Sequence, residues 1–180
     1  MSSTDIQRVK EWLDQFDLPD RYLAEHMLRK TRFVSLEEVE SGLQTAVVDL
    51  IDHIQKTFGK EAIALFPVNK PFIEEKQKPD SDSSGRVAHL LQNIMRLSGL
   101  PPSLELSATD ESMKARKVKH LIFVDDYTGT GNRFVKFWRS NVSRKVKFWL
   151  SRKWCQVWFV SYVGHKEGFG RIIHQIRPMQ

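Results

Sequence analysis

Cysteine is almost absent from this chain of 180 residues, which contains only Cys155. A single thiol cannot form an intramolecular disulfide, and no second cysteine or histidine cluster stands near it to build a zinc site. The sequence also lacks an apolar run of about 18 residues that could cross a membrane, and it lacks the basic and then apolar start of a secretory signal. We therefore expect a cytoplasmic protein with no membrane partner, and we expect Cys155 to lie in the core.

Acidic residues are scarce in the C-terminal part of the chain. From Ser112 to Gln180 there are 15 Lys and Arg but only three acids, whereas the residues before Ser112 carry 13 basic and 19 acidic side chains. A positive field attracts anions, so this imbalance favours a polyphosphate or a nucleic acid as partner. A nucleic-acid-binding module would use exposed aromatic rings for base stacking, although aromatic residues at helical spacing more often pack in a core. The candidate rings are Phe137, Trp138, Trp149 and Trp154.

The pattern of apolar residues divides the chain near Gly59. Before it, apolar residues recur at helical spacing in three stretches, and the third follows a capping box formed by Ser35 and Glu38. After it, short apolar runs typical of buried strands alternate with helical patterns. The sequence therefore predicts a helical extension over residues 1–58 and an α/β core with a parallel sheet over residues 59–180. The predicted strands are Ala62–Phe66, Leu121–Val124 and Gln156–Val163, with Leu104–Leu106 as a further short candidate.

One segment combines several features of an anion-binding site. The strand Leu121–Val124 runs into Asp125 and Asp126, at the end of a strand where open α/β sheets bind ligands. Glycines at the following turn let backbone amides approach an anion closely, and the N-terminus of the next helix adds partial positive charge. The segment predicts carboxylates for sugar hydroxyls beside amides and hydroxyls for a phosphate. The phosphate-binding candidates are Thr128, Gly129, Thr130, Gly131, Asn132 and Arg133.

The segment Val124-Asp125-Asp126-Tyr127-Thr128-Gly129-Thr130-Gly131 resembles the 5-phosphoribosyl-1-pyrophosphate (PRPP) motif of type I phosphoribosyltransferases. The form Asp-Asp-aromatic-x-Gly-Thr-Gly-Asn, behind a helical extension, looks most like divergent phosphoribosyltransferase-like proteins of prokaryotic conflict and defence loci. The resemblance implies a Rossmann-like core. It also implies that Asp125 and Asp126 are the catalytic acids that hold the ribose 2′- and 3′-hydroxyls. Magnesium would enter with PRPP near them, without direct protein ligands, while Thr128 to Arg133 would wrap the 5′-phosphate.

The same resemblance suggests where the pyrophosphate would bind. A loop after the first core strand serves that purpose in the family, which makes Asn69 and Lys70 candidates. Lys114, Arg116, Lys117 and Lys119 could belong to a loop that closes over the pyrophosphate, although such a charge run is usually a solvated segment. The segment His165-Lys166-Glu167-Gly168 follows a strand and so is predicted to lie at the ligand edge of the sheet.

The chain departs from the family pattern in three ways. Arg133 stands where the usual loop ends in threonine, and Gly129 stands where purine-salvage members have an aspartate. About 47 residues follow the loop, fewer than a usual member needs for its remaining strands and its hood over the acceptor base. We therefore expect a core that lacks its C-terminal part, and self-association or a partner protein that covers the exposed sheet edge.

The sequence leaves several functions open. An enzyme would transfer a phosphoribosyl group from magnesium-PRPP to an acceptor that the sequence does not identify. A sensor would bind PRPP or a nucleotide without catalysis. A nucleic-acid-binding module would show binding that weakens steeply with salt. A phosphoacceptor receiver domain also begins with paired aspartates at a strand end, but it needs a third acid, and no suitable acid follows Asp126.

Overall fold

The computed structural model describes residues 3–32, 34–68, 83–97, 100–101 and 103–176. The chain divides into two compact units, Met1–Ser35 and Leu36–Gln180. The first unit contains helix α1, Ser3–Leu13, and helix α2, Leu18–Lys30, which confirms the two helices predicted there. An ion pair of 2.8 Å joins Arg21 to Asp14 across the turn between them.

The second unit is built on four parallel strands. In chain order they are β1, Ile63–Pro67; β2, Leu104–Leu106; β3, His120–Thr128; and β4, Gln156–Gly164. Their order across the sheet is β2-β1-β3-β4, and every neighbouring pair is parallel, as the sequence predicts. The carboxyl ends of all four strands therefore lie at one edge. The helices are α3, Leu36–Phe58; α4, Ser83–Ile94; α5, Asp110–Ala115; α6, Asn132–Asn141; α7, Arg144–Ser151; and α8, Lys166–Ile176.

Both faces of the sheet are covered, because successive strand residues point to opposite faces. Ile122 and Val124 belong to one core with residues of α3 and α4. Leu121 and Phe123 belong to a second core with residues of α6, α7 and α8. Strands buried on both faces need apolar residues at successive positions, which explains the continuous apolar runs in the sequence.

Helix α3 belongs to the unit that contains the sheet. Leu43, Val47, Ile51 and Ile54 are buried along one of its faces and form part of the first core. The helix ends at Phe58, next to the predicted change of pattern at Gly59: Gly59 has a φ of 81°, and its amide donates to the carbonyl of Gln55 at 3.0 Å. The compact units thus divide at Ser35, earlier than the 1–58 extension predicted from the sequence. The helical pattern reveals an apolar stripe but not the surface that covers it.

One predicted boundary needs correction: strand β3 does not end at Val124 but continues through the acid pair to Thr128. Between β3 and β4 the chain forms two helices, α6 and α7, and Ser143 caps α7 by accepting from the amide of Val146 at 3.2 Å. Residues after β4 form α8. Across the described ranges, no helix has both the length and the apolar character needed to span a membrane.

Candidate functional site

Asp125 and Asp126 lie where the strand order reverses. The chain passes from β1 to β2 on one side, and β3 and β4 lie on the other side of β1. In open parallel sheets such a reversal leaves a crevice outside the carboxyl ends of the two strands, and ligands bind there. Strand β1 ends at Pro67, opposite Val124, so the last four residues of β3 extend beyond it. The acid pair is therefore at the edge of this crevice.

Asp125 is a buried carboxyl group. Alternate residues of a strand point to the same face, so Asp125 lies on the face of Leu121 and Phe123, which α6 covers. Only 2% of its surface is exposed. Burial raises its pKa to about 7, and the neighbouring Asp126 adds to this rise, while the Arg133 guanidinium acts in the opposite direction. The carboxyl also accepts from the backbone amide of Asp126 at 3.1 Å. Such a group changes protonation close to neutral pH.

Arg133 lies against both acids. Its Nη1 atom is 3.0 Å from Oδ1 of Asp125 and 3.4 Å from Oδ1 of Asp126. Asp126 is more exposed than Asp125, and its Oδ1 also accepts from the amide of Tyr127 at 2.9 Å. Sequence analysis assigns Arg133 to the phosphate, whereas the described contacts join it to the carboxylates. A cation in the first turn of α6 thus partly offsets the negative charge of the acid pair.

The turn from β3 to α6 has the geometry of an anion cradle. Gly131 precedes α6 with a φ of 75°, and the hydroxyl of Thr130 accepts from the amide of Asn132 at 3.4 Å. The first turn of α6 contains no acid, so its partial positive charge is not offset there. A cleft of about 380 Å³ opens between this turn and Asp125. Its lining runs from Tyr127 to Phe134 and includes Asp125.

Helix α8 packs directly on the turn through Gly168. A Cβ atom on Gly168 would lie 2.1 Å from the carbonyl oxygen of Gly129, and one on Gly131 would lie 2.6 Å from the carbonyl oxygen of Gly168. Both distances are too short for real contacts. Gly131 is therefore required by its φ and by this packing, whatever it does for a phosphate. Sequence analysis places Gly168 at the ligand edge, and the structure adds this contact.

Two further side chains support the turn. The hydroxyl of Thr128 donates to Ser161 of β4 at 3.2 Å, and Ser161 donates to the carbonyl of Val163 at 2.9 Å. Thr128 is buried, and its side chain connects β3 to β4 through this hydrogen bond. Its backbone adjoins the turn. Arg171 of α8 donates to the side-chain oxygen of Asn132 at 2.5 Å. Sequence analysis missed Ser161 and Arg171, because nothing in the motif indicates which later elements meet it.

A second cleft adjoins the first on the α8 side. It has a volume of about 340 Å³ and shares Tyr127, Gly129 and Thr130 with the first cleft. His165 and Glu167 line its other side together with Arg171. The sequence correctly places His165 to Gly168 at the carboxyl edge of the sheet. The turn therefore has open space on two sides, between the acid pair and the start of α8.

The remaining candidates do not join this site in the described residues. Asn69 and Lys70 lie outside the described ranges, so their assignment to pyrophosphate stays a prediction. Lys119 directly precedes β3, and six residue steps of about 3.3 Å each place it roughly 20 Å from Asp125 along the strand. Arg116 is paired with Glu105 at 3.2 Å, at the end of α5. The hypothesis that the Lys114–Lys119 run closes over a pyrophosphate here is therefore wrong.

A larger cavity lies away from the acid pair. It has a volume of about 660 Å³, and its lining along β4 and α8 is mostly apolar, with Phe159, Phe169 and Ile172 among the lining residues. Cys155 lines it too, and burial raises the pKa of its thiol to about 11, so the thiol stays protonated. Size alone would favour this cavity, but we place the chemistry at the smaller cleft, because that cleft combines the buried carboxyl of Asp125, the guanidinium of Arg133 and the N-terminus of α6. Among the described residues, no three His, Cys, Asp or Glu side chains converge to hold a metal ion.

Comparison with family models gives a match over residues 9–178, to the family described as PRTase-CE. The chain belongs to the PRTase-CE family. This match covers most of the chain and supports the phosphoribosyltransferase-like character that the acid pair and the turn suggest. Comparison with curated proteins gave no match, and neither did comparison with solved structures. The roles of single residues in this PRTase-CE chain must therefore be argued from its own geometry.

Proposed function

We propose that this PRTase-CE chain binds PRPP at the cleft beside Asp125 and transfers the phosphoribosyl group to an acceptor. The observation that carries the proposal is the juxtaposition of two carboxylates with a glycine turn and the N-terminus of α6 at the point where the strand order reverses. Parallel sheets bind nucleotides and sugar phosphates at such points. The match to a phosphoribosyltransferase-like family supports the same ligand class.

Each part of the proposed site has a separate task. The backbone amides from Gly129 to Asn132 and the start of α6 bind the 5′-phosphate through hydrogen bonds and the helix dipole. Asp125 and Asp126 accept hydrogen bonds from the ribose 2′- and 3′-hydroxyls and so fix the sugar ring. The carboxylates also favour the positive charge that develops at C1′ as its bond to pyrophosphate breaks. The electron pair of that bond leaves with pyrophosphate, and the acceptor forms the new bond to C1′ and gives up a proton.

Magnesium fits this site as a companion of the substrate. Among the residues that the structure describes, two carboxylates stand without a third protein ligand, which suits an ion that keeps its waters and binds mainly to substrate phosphates. Asp125 and Asp126 would face it, and it would supply charge neutralisation for the departing pyrophosphate. Asn69 and Lys70 remain proposed contacts for the pyrophosphate itself.

Calorimetric titration with PRPP, with and without magnesium, tests the proposal. We expect magnesium-dependent binding by the unaltered chain and no binding by a variant that combines Asp125→Asn and Asp126→Asn. A matched control, Asp49→Asn with Asp52→Asn, removes two exposed charges from α3 and should bind as the unaltered chain does. Equal PRPP affinity in the Asp125/Asp126 variant and in this control would rule out the ribose assignment.

A PRPP or nucleotide sensor without catalysis is the second candidate function. The ion pair between Arg133 and the acids favours it, because a guanidinium on the carboxylate oxygens competes with the sugar contacts that a transferase needs for turnover. Pyrophosphate release separates the two functions: a transferase releases it when a suitable acceptor is present, whereas a sensor binds PRPP and leaves it intact. Membership of a conflict or defence system is a further hypothesis, which rests on the motif resemblance and is tested by deleting the gene in its host under challenge.

A further inference from the structure

Arg133 is within reach of both halves of the proposed site. Its guanidinium lies 3.0 Å and 3.4 Å from oxygen atoms of the two acids, while its backbone is in the first turn of α6, beside the proposed phosphate cradle. Its side chain is 36% exposed, so it is not locked in the core. A guanidinium binds both carboxylates and phosphates by charge-assisted hydrogen bonds. The same group can therefore serve either partner.

The carboxylate oxygens that contact Arg133 are those proposed to accept from the ribose hydroxyls. Asp125 is almost fully buried, so few of its oxygen lone pairs can reach a ligand. One of its oxygens accepts from the amide of Asp126 and also from Arg133. A neutral sugar offers no anion to replace these acids as partner of the guanidinium. A sugar phosphate offers one, placed at the start of the same helix.

We propose that Arg133 is a specificity-determining residue that makes sugar binding depend on the phosphate. Without an anion at the turn, the guanidinium stays on the acid pair and competes with sugar hydroxyls. A phosphate bound by the turn draws the guanidinium toward itself and releases the carboxylates. The difference in affinity between phosphorylated ribose and free ribose is then larger than the phosphate contacts alone would produce. This inference rests on the proposed function, because it takes the acids as the sugar-binding groups.

The inference makes a prediction that an ordinary phosphate contact does not make. Removing Arg133 should weaken the binding of phosphate and ribose 5-phosphate, and it should strengthen the binding of free ribose. The second effect arises because the carboxylates lose their competing partner. Coupling between two sites commonly changes affinity by about fivefold or more, and we expect a gain for ribose on that order in Arg133→Gln.

Titration of the full chain by NMR, with ribose, ribose 5-phosphate and inorganic phosphate as separate probes, tests this. The variants are Arg133→Gln and, as a matched control, Lys136→Gln, which removes an exposed cation one turn along α6. Arg133→Lys keeps the positive charge but lacks the planar guanidinium, so its changes in affinity should lie between those of Arg133→Gln and Lys136→Gln. Melting temperatures show whether each variant is folded. We expect opposite changes for ribose and ribose 5-phosphate in Arg133→Gln, smaller ones in Arg133→Lys and none in Lys136→Gln.

The outcomes separate this inference from the proposed function. If the unaltered chain binds ribose 5-phosphate but Arg133→Gln gains no affinity for ribose, the coupling is refuted and the PRPP site stands. If Arg133→Gln unfolds, the Arg133→Lys variant decides: unchanged affinity for both sugars refutes the coupling. If the unaltered chain binds none of the probes and no PRPP, the proposed function fails and the inference fails with it.

Discussion

The buried carboxyl of Asp125 makes the stability of the fold depend on pH in a calculable way. Its pKa is raised from 3.8 to about 7, chiefly by burial. Well below pH 3.8 the carboxyl is protonated in both the folded and the unfolded chain, so its ionisation does not affect the free energy of unfolding. As the pH rises from 3.8 to about 7, the unfolded chain ionises while the folded chain keeps its proton, so the free energy of unfolding falls. A difference of roughly three pKa units corresponds to a total loss on the order of 4 kcal/mol.

Asp125→Asn removes this effect, because an amide does not ionise. We therefore compare the free energies of unfolding of the variant and of the unaltered chain at each pH. The variant's value relative to that of the unaltered chain should increase by about 2 to 3 kcal/mol from pH 5 to pH 8. Urea denaturation at intervals of half a pH unit measures this difference directly. The loss of the contact with Arg133 shifts the whole curve without changing the direction of its slope.

Asp126→Asn is the matched control for this measurement. It removes the neighbouring carboxylate but leaves the buried one, so the pH-dependent fall should persist with a somewhat smaller size, because Asp126 contributes to the raised pKa of Asp125. Parallel stability curves for the unaltered chain and Asp125→Asn from pH 5 to pH 8 would refute the reasoning. They would mean that Asp125 ionises in the folded chain as readily as in the unfolded one.

Two other regions give predictions of the same kind. Gly168→Ala should lower the free energy of unfolding by about 1 to 3 kcal/mol, because the added methyl group overpacks against Gly129. Gly170→Ala is the control: its methyl group meets nothing within 4 Å, so the change should be neutral or stabilising by up to about 1 kcal/mol. Equal effects of the two substitutions in urea denaturation would contradict the packing argument. Strand β4 is one of the two outer strands of the sheet and carries no charged residue, so we expect the chain to self-associate or to need a partner there. Light scattering should then show an oligomer that Ile173→Glu, at an exposed position beside the apolar cavity, disrupts without lowering the melting temperature. A monomeric chain with full transferase activity would contradict that expectation.

The sequence predicts the elements of the sheet better than their surroundings. Apolar runs such as Leu121–Val124 identify buried strands because both faces of a parallel sheet need apolar side chains. The end of β3 was missed, since Asp125 and Thr128 are polar residues that a strand buries only with particular partners. Those partners are Arg133 and Ser161, which lie on other elements. A local pattern cannot reveal such contacts.

In the candidate site, too, the local sequence predicts some features, whereas contacts with distant elements were not predicted. The positions of Asp125, Asp126 and the glycine turn follow from local order along the chain: strand, acids, turn and helix. The pairing of Arg133 with the acids does not follow, because the same side chain could equally face the proposed phosphate. The contributions of Arg171 and Gly168 depend on α8, and an amphipathic helix after β4 was not recognised in the short C-terminal segment. Contacts made late in the chain are thus the least predictable part of the site.

The contact between Gly168 and the turn limits how this site can be altered or transplanted. Because the carbonyl of Gly129 lies against the backbone of Gly168, a loop graft that carried only the segment from Asp125 to Arg133 would meet a foreign side chain in another scaffold. A graft would need the first turn of α8 as well, at the same spacing. Protein engineering should therefore exchange the turn and this helix as one unit, and directed libraries that vary them separately should yield few folded clones.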